Sequence, residues 1–266
     1  LALGEIEPWT FRVICLGTGA AGLFAIAAIG GQRLAAPRRD WPMLVLLSFL
    51  NITCWHLFSA YGISLMAAGK ATILAYTMPI WAVLFAWPIL GERITLPRVA
   101  GLALGMAAMA VLIGDEWSRV RAAPAGALWT AAAAVFWGLG TAVLKSRKWG
   151  MSAVVLTGWQ MVIGGIPVLA GFALIGHPPD FTRLSATAWI ATLYSATVPM
   201  VFCHYAWTRL VGLVPAGVAA ISTLMIPVVG VLSSAPLVGE PIGARELLAL
   251  ALVVSALVVV LLIPHL

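Results

Sequence analysis

The sequence predicts an all-α protein that crosses a membrane many times. Of the 266 residues, 62% are hydrophobic and only 9% are charged, whereas about a quarter of the residues of an average soluble domain are charged. Apolar stretches long enough to cross a hydrocarbon layer of about 30 Å recur along the whole chain. An internal repeat further predicts that these helices form two related halves, which leaves little length for a soluble domain.

The apolar stretches form nine predicted spans, which are separated by short loops of helix-breaking and charged residues. Such loops include Ala36-Pro37-Arg38-Arg39-Asp40 after the first span, Gly91-Glu92-Arg93 after the third and Gly176-His177-Pro178-Pro179-Asp180 after the sixth. In chain order, the predicted spans are Trp9–Ile29, Pro42–Ser64, Ala68–Leu90, Pro97–Ile113, Gly126–Leu144, Ser152–Gly176, Ala186–Thr208, Pro215–Val238 and Ala244–Leu262.

The chain aligns with itself, without gaps, after a shift of 148 positions. Matches between alanines or leucines carry little information in an apolar chain, but matched prolines, histidines and Gly-Glu pairs are informative. A repeat of this size in so hydrophobic a chain is typical of transporters. The informative pairs are His56 with His204, Gly69 with Gly217, Pro79 with Pro227, Pro88 with Pro236, and Gly91-Glu92 with Gly239-Glu240.

The repeat divides the chain into residues 1–122 and 123–266. The span Gly126–Leu144 opens the second half, and its counterpart 148 positions earlier would precede residue 1. We therefore expect a first helix of about 20–30 residues that is absent from this sequence. The whole protein would then have five helices in each half, and because five is odd, the halves would have inverted topology.

The distribution of basic residues predicts the orientation in the membrane. Of the fifteen Lys and Arg residues, nine fall on one side of the predicted topology, which is therefore cytoplasmic and would hold both termini of the ten-helix protein. Because the basic residues are dispersed among short loops, a nucleic-acid partner is not expected. The nine residues are Arg33, Arg38, Arg39, Arg93, Arg98, Lys145, Arg147, Lys148 and Arg209.

Each half contains an Ala-rich stretch, a proline within the span and a terminal Gly-Glu before a helix of small residues. These features run from Gly69-Lys70-Ala71 through Pro79 to Gly91-Glu92, and from Ala216-Gly217 through Pro227 to Gly239-Glu240. The pattern resembles the EamA-type branch of the drug/metabolite transporter superfamily, over nearly the whole chain. Within that branch it most resembles the bacterial aromatic-amino-acid exporters of the YddG type.

The resemblance implies a basket of ten helices around a central cavity, in the inner membrane of a bacterium, that works by alternating access. The absent first helix would form one wall of this cavity. The other implied walls are the spans Pro42–Ser64, Ala68–Leu90, Gly126–Leu144, Ala186–Thr208 and Pro215–Val238.

Three helical faces on these spans combine aromatic and polar residues three or four positions apart. An aromatic wall with a few polar groups suits a flat, apolar side chain with a polar head, although each aromatic residue could instead pack in the bundle or contact lipid. The faces are Asn51, Trp55 and Ser59; Thr72, Tyr76 and Pro79; and Trp137, Thr141 and Lys145.

His56 and His204 are the histidines well inside spans, where polar groups usually face the bundle interior or a wet cavity. Each could contact substrate or carry a proton, or simply bind a neighbouring carbonyl. Pro79 and Pro227 lie near mid-span and could act as hinges or form static kinks. The predicted substrate cavity therefore comprises Asn51, Trp55, His56, Ser59, Thr72, Tyr76, Pro79, Trp137, Thr141, His204 and Pro227.

Charge is nearly absent from the span interiors, since no Asp or Glu lies deep in a span and Arg12 is close enough to a helix start to reach the interface. A carrier of organic cations would be expected to contain a membrane carboxylate, and a carrier of phosphate esters a basic cavity. We therefore expect a cargo that is neutral overall, such as a zwitterionic amino acid, and a secondary transporter that exports it.

The sequence contains no phosphate-binding loop and no metal-ligand spacing, and Cys15, Cys54 and Cys203 are isolated. No cofactor, no metal and no catalytic residue is predicted. Two alternatives stay open: a multidrug-type exporter of lipophilic compounds, and an intramembrane enzyme that uses His56 or His204. Gly101-xxx-Gly105 is compatible with a homodimer or with close packing inside the bundle.

Overall fold

The computed structural model describes residues 5–65, 74–113, 124–176, 184–226, 228–229 and 243–262, and these residues form helices and turns without a strand. Six of the helical segments are long and apolar enough to cross a membrane, which confirms the predicted all-α, multi-pass fold. The helices are α1 Pro8–Ile29, α2 Trp41–Ser48, α3 Trp55–Leu65, α4 Met78–Leu90, α5 Leu96–Ile113, α6 Pro124–Lys145, α7 Ala153–Ile175, α8 Ala186–Thr197, α9 His204–Leu213, α10 Ala216–Ser222 and α11 Ala244–Leu262.

Two of the long spans contain a π-helical segment. Phe49–Cys54 joins α2 to α3, and Val198–Cys203 joins α8 to α9. A π turn adds one residue to a helical turn and is often found at functional sites. Trp55 separates the first segment from His56, whereas His204 directly follows the second. Both paired histidines therefore lie beside a backbone irregularity that the sequence pattern did not predict.

The third predicted span differs from expectation at Pro79. Tyr76 and Thr77 form a turn, in which Thr77 N and Thr77 Oγ1 both donate to Leu74 O (3.1 and 2.7 Å), and α4 starts at Met78. Pro79 therefore occupies the first turn of a helix, where its missing N–H costs no hydrogen bond, instead of kinking a continuous helix. Its repeat partner Pro227 lies outside the described residues.

The chain divides into two compact units, each of which combines segments from both halves of the sequence. Unit 1 comprises Leu1–Ala60 and Arg147–Leu213, and unit 2 comprises Tyr61–Ser146 and Val214–Leu266. In unit 1, α7 packs along α1 and against α2 and the π segment that follows it. In unit 2, α4 packs on α6, and α5 packs on α11.

Helix starts agree with the internal repeat. The span that begins at Arg38 has its counterpart at Ala186, and α5 at Leu96 has its counterpart at Ala244, in each case 148 positions later. The opposite orientation of the two halves and the division at residue 122 stay predictions.

Glycine allows a close approach between helices within unit 1. Thr53 Oγ1 donates to Gly164 O (2.8 Å), and a Cβ placed on Gly164 would lie only 2.6 Å from Ser48 O. α7 can therefore lie against the backbone of the α2–α3 span only because residue 164 has no side chain. This contact holds the span that contains Asn51, His56 and Ser59.

Gly101 and Gly105 pack inside unit 2. A Cβ on Gly101 would lie 3.1 Å from Ala256 O, and one on Gly105 would meet the side chain of Leu224. Of the two interpretations of this pair, the structure therefore uses the packing within the bundle.

Candidate functional site

The predicted site residues fall into two groups, one in each unit. Thr72 and Pro227 lie outside the described residues. The unit 1 group is Asn51, Trp55, His56, Ser59 and His204, and the unit 2 group is Tyr76, Pro79, Trp137 and Thr141.

The unit 1 group contains a polar cluster that includes Arg12. Arg12 Nη1 donates to His56 Nδ1 (2.7 Å), and Arg12 Nη2 donates to Ser59 Oγ (3.2 Å). Ser59 Oγ in turn donates to Trp55 O (2.6 Å). His56 is 4% exposed, and Arg12 lies in the second turn of α1 and is half-buried.

Arg12 thus behaves differently from the sequence-based expectation that it reaches the membrane interface. Its guanidinium turns towards a buried histidine and a serine 44 and 47 positions later in the chain. The sequence signal was an arginine inside an apolar span without a carboxylate one turn away. The partners themselves could not be read, because the contact joins two helices that are remote in sequence.

The contact with Arg12 determines which ring nitrogen of His56 carries the proton. A guanidinium has only donors, so His56 Nδ1 must accept, and the proton of the neutral ring sits on Nε2. Among the described residues no hydrogen-bond partner of Nε2 exists. His56 therefore holds a buried N–H donor that is available to another molecule.

Asn51, on the same span, offers a hydrogen-bond acceptor instead of a donor. The residue is 3% exposed, and its Oδ1 has no hydrogen-bond partner within the described part of the chain. Leaving a buried polar atom unpaired costs about 1–3 kcal/mol. Water or a polar ligand is therefore expected at this acceptor, as at the donor of His56.

His204 has the other tautomer from its repeat partner. A backbone carbonyl can only accept, so His204 Nδ1 donates to Pro199 O (2.8 Å) inside the π segment, and its Nε2 is an acceptor. His204 O accepts from Thr208 Oγ1 (3.0 Å), and Thr157 Oγ1 donates to Thr208 Oγ1 (2.8 Å). The two paired histidines of unit 1 thus make different hydrogen bonds, and their separate roles stay a prediction.

The unit 2 group is less polar than its sequence implies. Thr141 is 0% exposed, and its hydroxyl donates to Trp137 O (3.0 Å) one turn earlier in α6. Gly138 packs on α4, where a Cβ would lie 2.7 Å from Ala82 N. Trp137 and Tyr76 are half-buried, so their rings are the parts of this group most able to meet a ligand.

The Gly-Glu motif of the first half has a structural role. Gly91 ends α4 with a positive φ of 68°, a conformation that favours glycine. Glu92 accepts from Ala216 N (2.7 Å) and Gly217 N (3.3 Å) at the start of α10, and pairs with Arg98 (3.1 Å). The motif thus joins distant segments of unit 2. Its repeat copy, Gly239-Glu240, lies outside the described residues.

Asp40 has the corresponding role in unit 1, which sequence reasoning missed. Its side chain is fully buried, pairs with Arg147 (2.7 Å) and accepts from Gly150 N (2.8 Å).

Within the described ranges, no group of three His, Cys, Asp or Glu side chains is placed to hold a metal ion.

Comparison with known proteins identifies related chains. Residues 1–114 and 124–262 match the model of the EamA-like transporter family. A chloroplastic WAT1-related protein of Arabidopsis thaliana is 29% identical over 208 residues, which is 74% of this chain but only 50% of the plant protein. The chain thus spans half the length of that relative.

A bacterial relative has a more specific name. The aromatic amino acid exporter YddG of Ancylobacter novellus is 26% identical over 238 residues, covering 85% of this chain and 81% of the exporter. A solved crystal structure superposes with a TM-score of 0.85 at 22% identity, and covers 98% of this chain and 90% of its own. That likeness shows the fold.

Proposed function

Because the chain belongs to the EamA-like transporter family, we propose that it is a secondary transporter that exports amino acids, above all aromatic ones, by alternating access. The location would be the inner membrane of a bacterium, with both termini of the complete protein in the cytoplasm. The relative from Ancylobacter novellus, named as an aromatic amino acid exporter, supports this cargo. No cofactor and no enzymatic activity are part of the proposal.

The pair of buried polar atoms on the α2–α3 span carries the proposal. Asn51 Oδ1 is an acceptor and His56 Nε2 is a donor, and neither has a hydrogen-bond partner among the described residues. A zwitterion offers an ammonium group and a carboxylate, which need an acceptor and a donor respectively. The chemistry of this span therefore matches the polar head of an amino acid.

The aromatic side chain of the cargo would contact an aromatic ring, and the sequence-predicted candidates are Trp55 in unit 1 and Tyr76 and Trp137 in unit 2. All three are half-buried, so each combines a supported ring with an accessible part, and stacked rings add about 0.5–1.5 kcal/mol to the burial of apolar area. Thr141, His204, Thr72 and Pro227 stay predicted cavity residues. Pro79, the second residue of α4, is the proposed hinge together with Pro227.

The two alternatives have less support. A lipophilic cation would meet the guanidinium of Arg12 in unit 1, and like charges repel strongly where water is excluded. An enzyme that uses His56 as a base would need a group that orients and stabilises the protonated ring, usually a carboxylate. The described partner of His56 is instead a cation, which opposes protonation.

Counterflow of labelled phenylalanine and tryptophan into proteoliposomes tests the proposal with the full-length protein. We expect saturable exchange that weakens about ten-fold in Tyr76→Ala and in Trp137→Ala, since burying an aromatic ring contributes on the order of 1–3 kcal/mol. Trp87→Ala is the matched control, because Trp87 lies on α4 but is 61% exposed.

The possible results separate the claims. Exchange that is equally affected by all three substitutions would overturn the aromatic contacts while leaving amino-acid transport in place. Absence of exchange with every amino acid, together with uptake of a cationic dye, would replace this function by multidrug export. Turnover of a lipid in detergent would instead support an intramembrane enzyme.

A further inference from the structure

We propose that Arg12, His56 and Ser59 form the subsite that binds the carboxylate of the cargo. This inference rests on the proposed function and deepens it, because it assigns the anionic end of the substrate to a particular place in unit 1. Arg12 is the new element, since sequence reasoning assigned it to the membrane interface.

The charge of Arg12 is the first argument. Its hydrogen-bond partners in the structure, His56 Nδ1 and Ser59 Oγ, are both neutral, and no described carboxylate lies within ion-pair distance of it. A cation within a membrane span normally pairs with an anion or faces a water-filled cavity. The cluster therefore holds a positive charge that a carboxylate would neutralise.

The donor set is the second argument. Two bonds to His56 and Ser59 orient the planar guanidinium and leave N–H groups unused, and a guanidinium matches the two oxygens of a carboxylate. His56 adds its buried Nε2–H, which has no partner among the described residues. Both side chains thus supply donors, as an anion requires, and the hydroxyl of Ser59 holds the arginine while it donates to Trp55 O.

The internal repeat provides the third argument. The position 148 residues after Arg12 is Gln160, which is buried and neutral, and the position after Ser59 is Trp207. His204, the partner of His56, donates its Nδ1 proton to Pro199 O instead of accepting from a cation. If helix packing required the cluster, both halves would be expected to contain it. Only the first half does, which fits one carboxylate for each transporter.

The test compares two ligands that differ only in the proposed contact. Phenylalanine has a carboxylate, whereas phenylalaninamide has a neutral amide at the same place. Binding of both is measured to purified full-length protein and to Arg12→Gln, which installs the residue found at the repeat position. We expect the affinity for phenylalanine to fall about 10- to 100-fold, the usual range for a lost charge-assisted hydrogen bond. Phenylalaninamide should bind equally well or better, because a like charge has been removed.

Two further variants control for charge and folding. Arg12→Lys keeps the charge but loses the planar fork, so phenylalanine should bind with intermediate affinity. Arg209→Gln removes an exposed positive charge from the same unit and should leave both affinities within about two-fold, since surface substitutions have small effects. The ratio of the two affinities within one preparation does not depend on the fraction of folded protein.

Other results would overturn the subsite. Equal loss of both ligands in Arg12→Gln would show that Arg12 supports the structure, and unchanged binding of both would show that it makes no contact with the cargo. In either case, phenylalanine transport by the unchanged protein would leave the proposed function in place. If the unchanged protein bound neither ligand, the proposed function would fail, and the subsite with it.

Discussion

Two carboxylates beside helix ends, Asp40 and Glu92, show how single residues hold remote segments together. Asp40 and Glu92 each bind an arginine and a backbone amide group from another part of their own unit. A charge of this kind is stable in a poorly hydrated place only when it is paired and hydrogen-bonded. At the residue scale, these anchors are structural, whereas the polar cluster of Arg12 leaves donors unused.

Asp40→Asn should lower the stability of unit 1. The substitution keeps the volume of the side chain but removes the charge that pairs with Arg147. Breaking a fully buried ion pair costs about 3–5 kcal/mol. Arg147 keeps 29% of its side-chain exposure, so we expect about 1–3 kcal/mol, measured by thermal unfolding in detergent. Arg39→Gln is the control, because Arg39 is 73% exposed and 3.9 Å from Asp40. An equal effect of the two substitutions would contradict this role for Asp40.

Glu5 makes a contribution that depends on pH. Its carboxylate accepts from Ser185 Oγ (2.6 Å) and Ser185 N (2.8 Å), and these bonds lower the pKa of Glu5 from its ordinary value of 4.5. Because the folded pKa is depressed, the stabilisation is complete above the ordinary pKa and is lost as the pH falls through the folded pKa. The difference in unfolding temperature between the native chain and Glu5→Gln should therefore shrink on acidification. A difference that stays constant down to about pH 3 would refute this coupling.

At the element scale, glycine and π segments determine how the spans approach one another. The π segments Phe49–Cys54 and Val198–Cys203 change which residues share a helical face, so face predictions based on a regular period hold only locally. The predicted stripe Asn51, Trp55 and Ser59 runs from a π segment into α3. The polar cluster instead uses His56 and Ser59, together with an arginine on another helix.

Gly164→Ala should weaken the contact between α7 and the α2–α3 span. The new Cβ would lie 2.6 Å from Ser48 O, which is backbone and cannot move aside alone, and overpacking of this kind costs about 1–3 kcal/mol. The adjacent Gly165 has its nearest neighbour at 3.9 Å, so Gly165→Ala should be neutral or slightly stabilising. Thermal unfolding of the two variants provides the measurement, and equal midpoints would contradict the close packing at Gly164.

At the scale of the whole molecule, the sequence-based topology is a prediction that labelling can test. Arg39 and Thr187 are 148 positions apart and are both exposed. If the two halves are inverted, these equivalent positions lie on opposite sides of the membrane, with Arg39 in the cytoplasm. Single cysteines at these positions, in a chain whose native cysteines are replaced by serine, should differ in their reaction with a membrane-impermeant maleimide.

The pattern of labelling decides between the two arrangements. Thr187→Cys should react in cells with a permeabilised outer membrane, and Arg39→Cys only after lysis. Reaction of both positions under the same condition would mean that the halves run in the same direction. Lys148→Cys, on the predicted cytoplasmic side, is the control for an intact inner membrane.

The sequence by itself determined the all-helical membrane fold, the family and the approximate ends of the long helices α1, α6, α7 and α11. These properties follow from apolar run length, loop composition and a repeat, which are local or periodic and can therefore be read along one chain. It also indicated that Gly91-Glu92 marks the end of a helix. Tertiary structure was needed to show that the carboxylate of Glu92 accepts hydrogen bonds from Ala216 N and Gly217 N at the start of α10.

Only the tertiary structure decided which polar groups meet. The contacts of Arg12 with His56 and of Asp40 with Arg147 cross 44 and 107 positions of sequence, and the choice of partner depends on how helices pack and rotate. The π segments change which residues share a helical face. Gly164 allows α7 to lie close to the α2–α3 span. Side-chain chemistry was therefore visible in the sequence, but the availability of a buried donor on His56 required the positions of its neighbours.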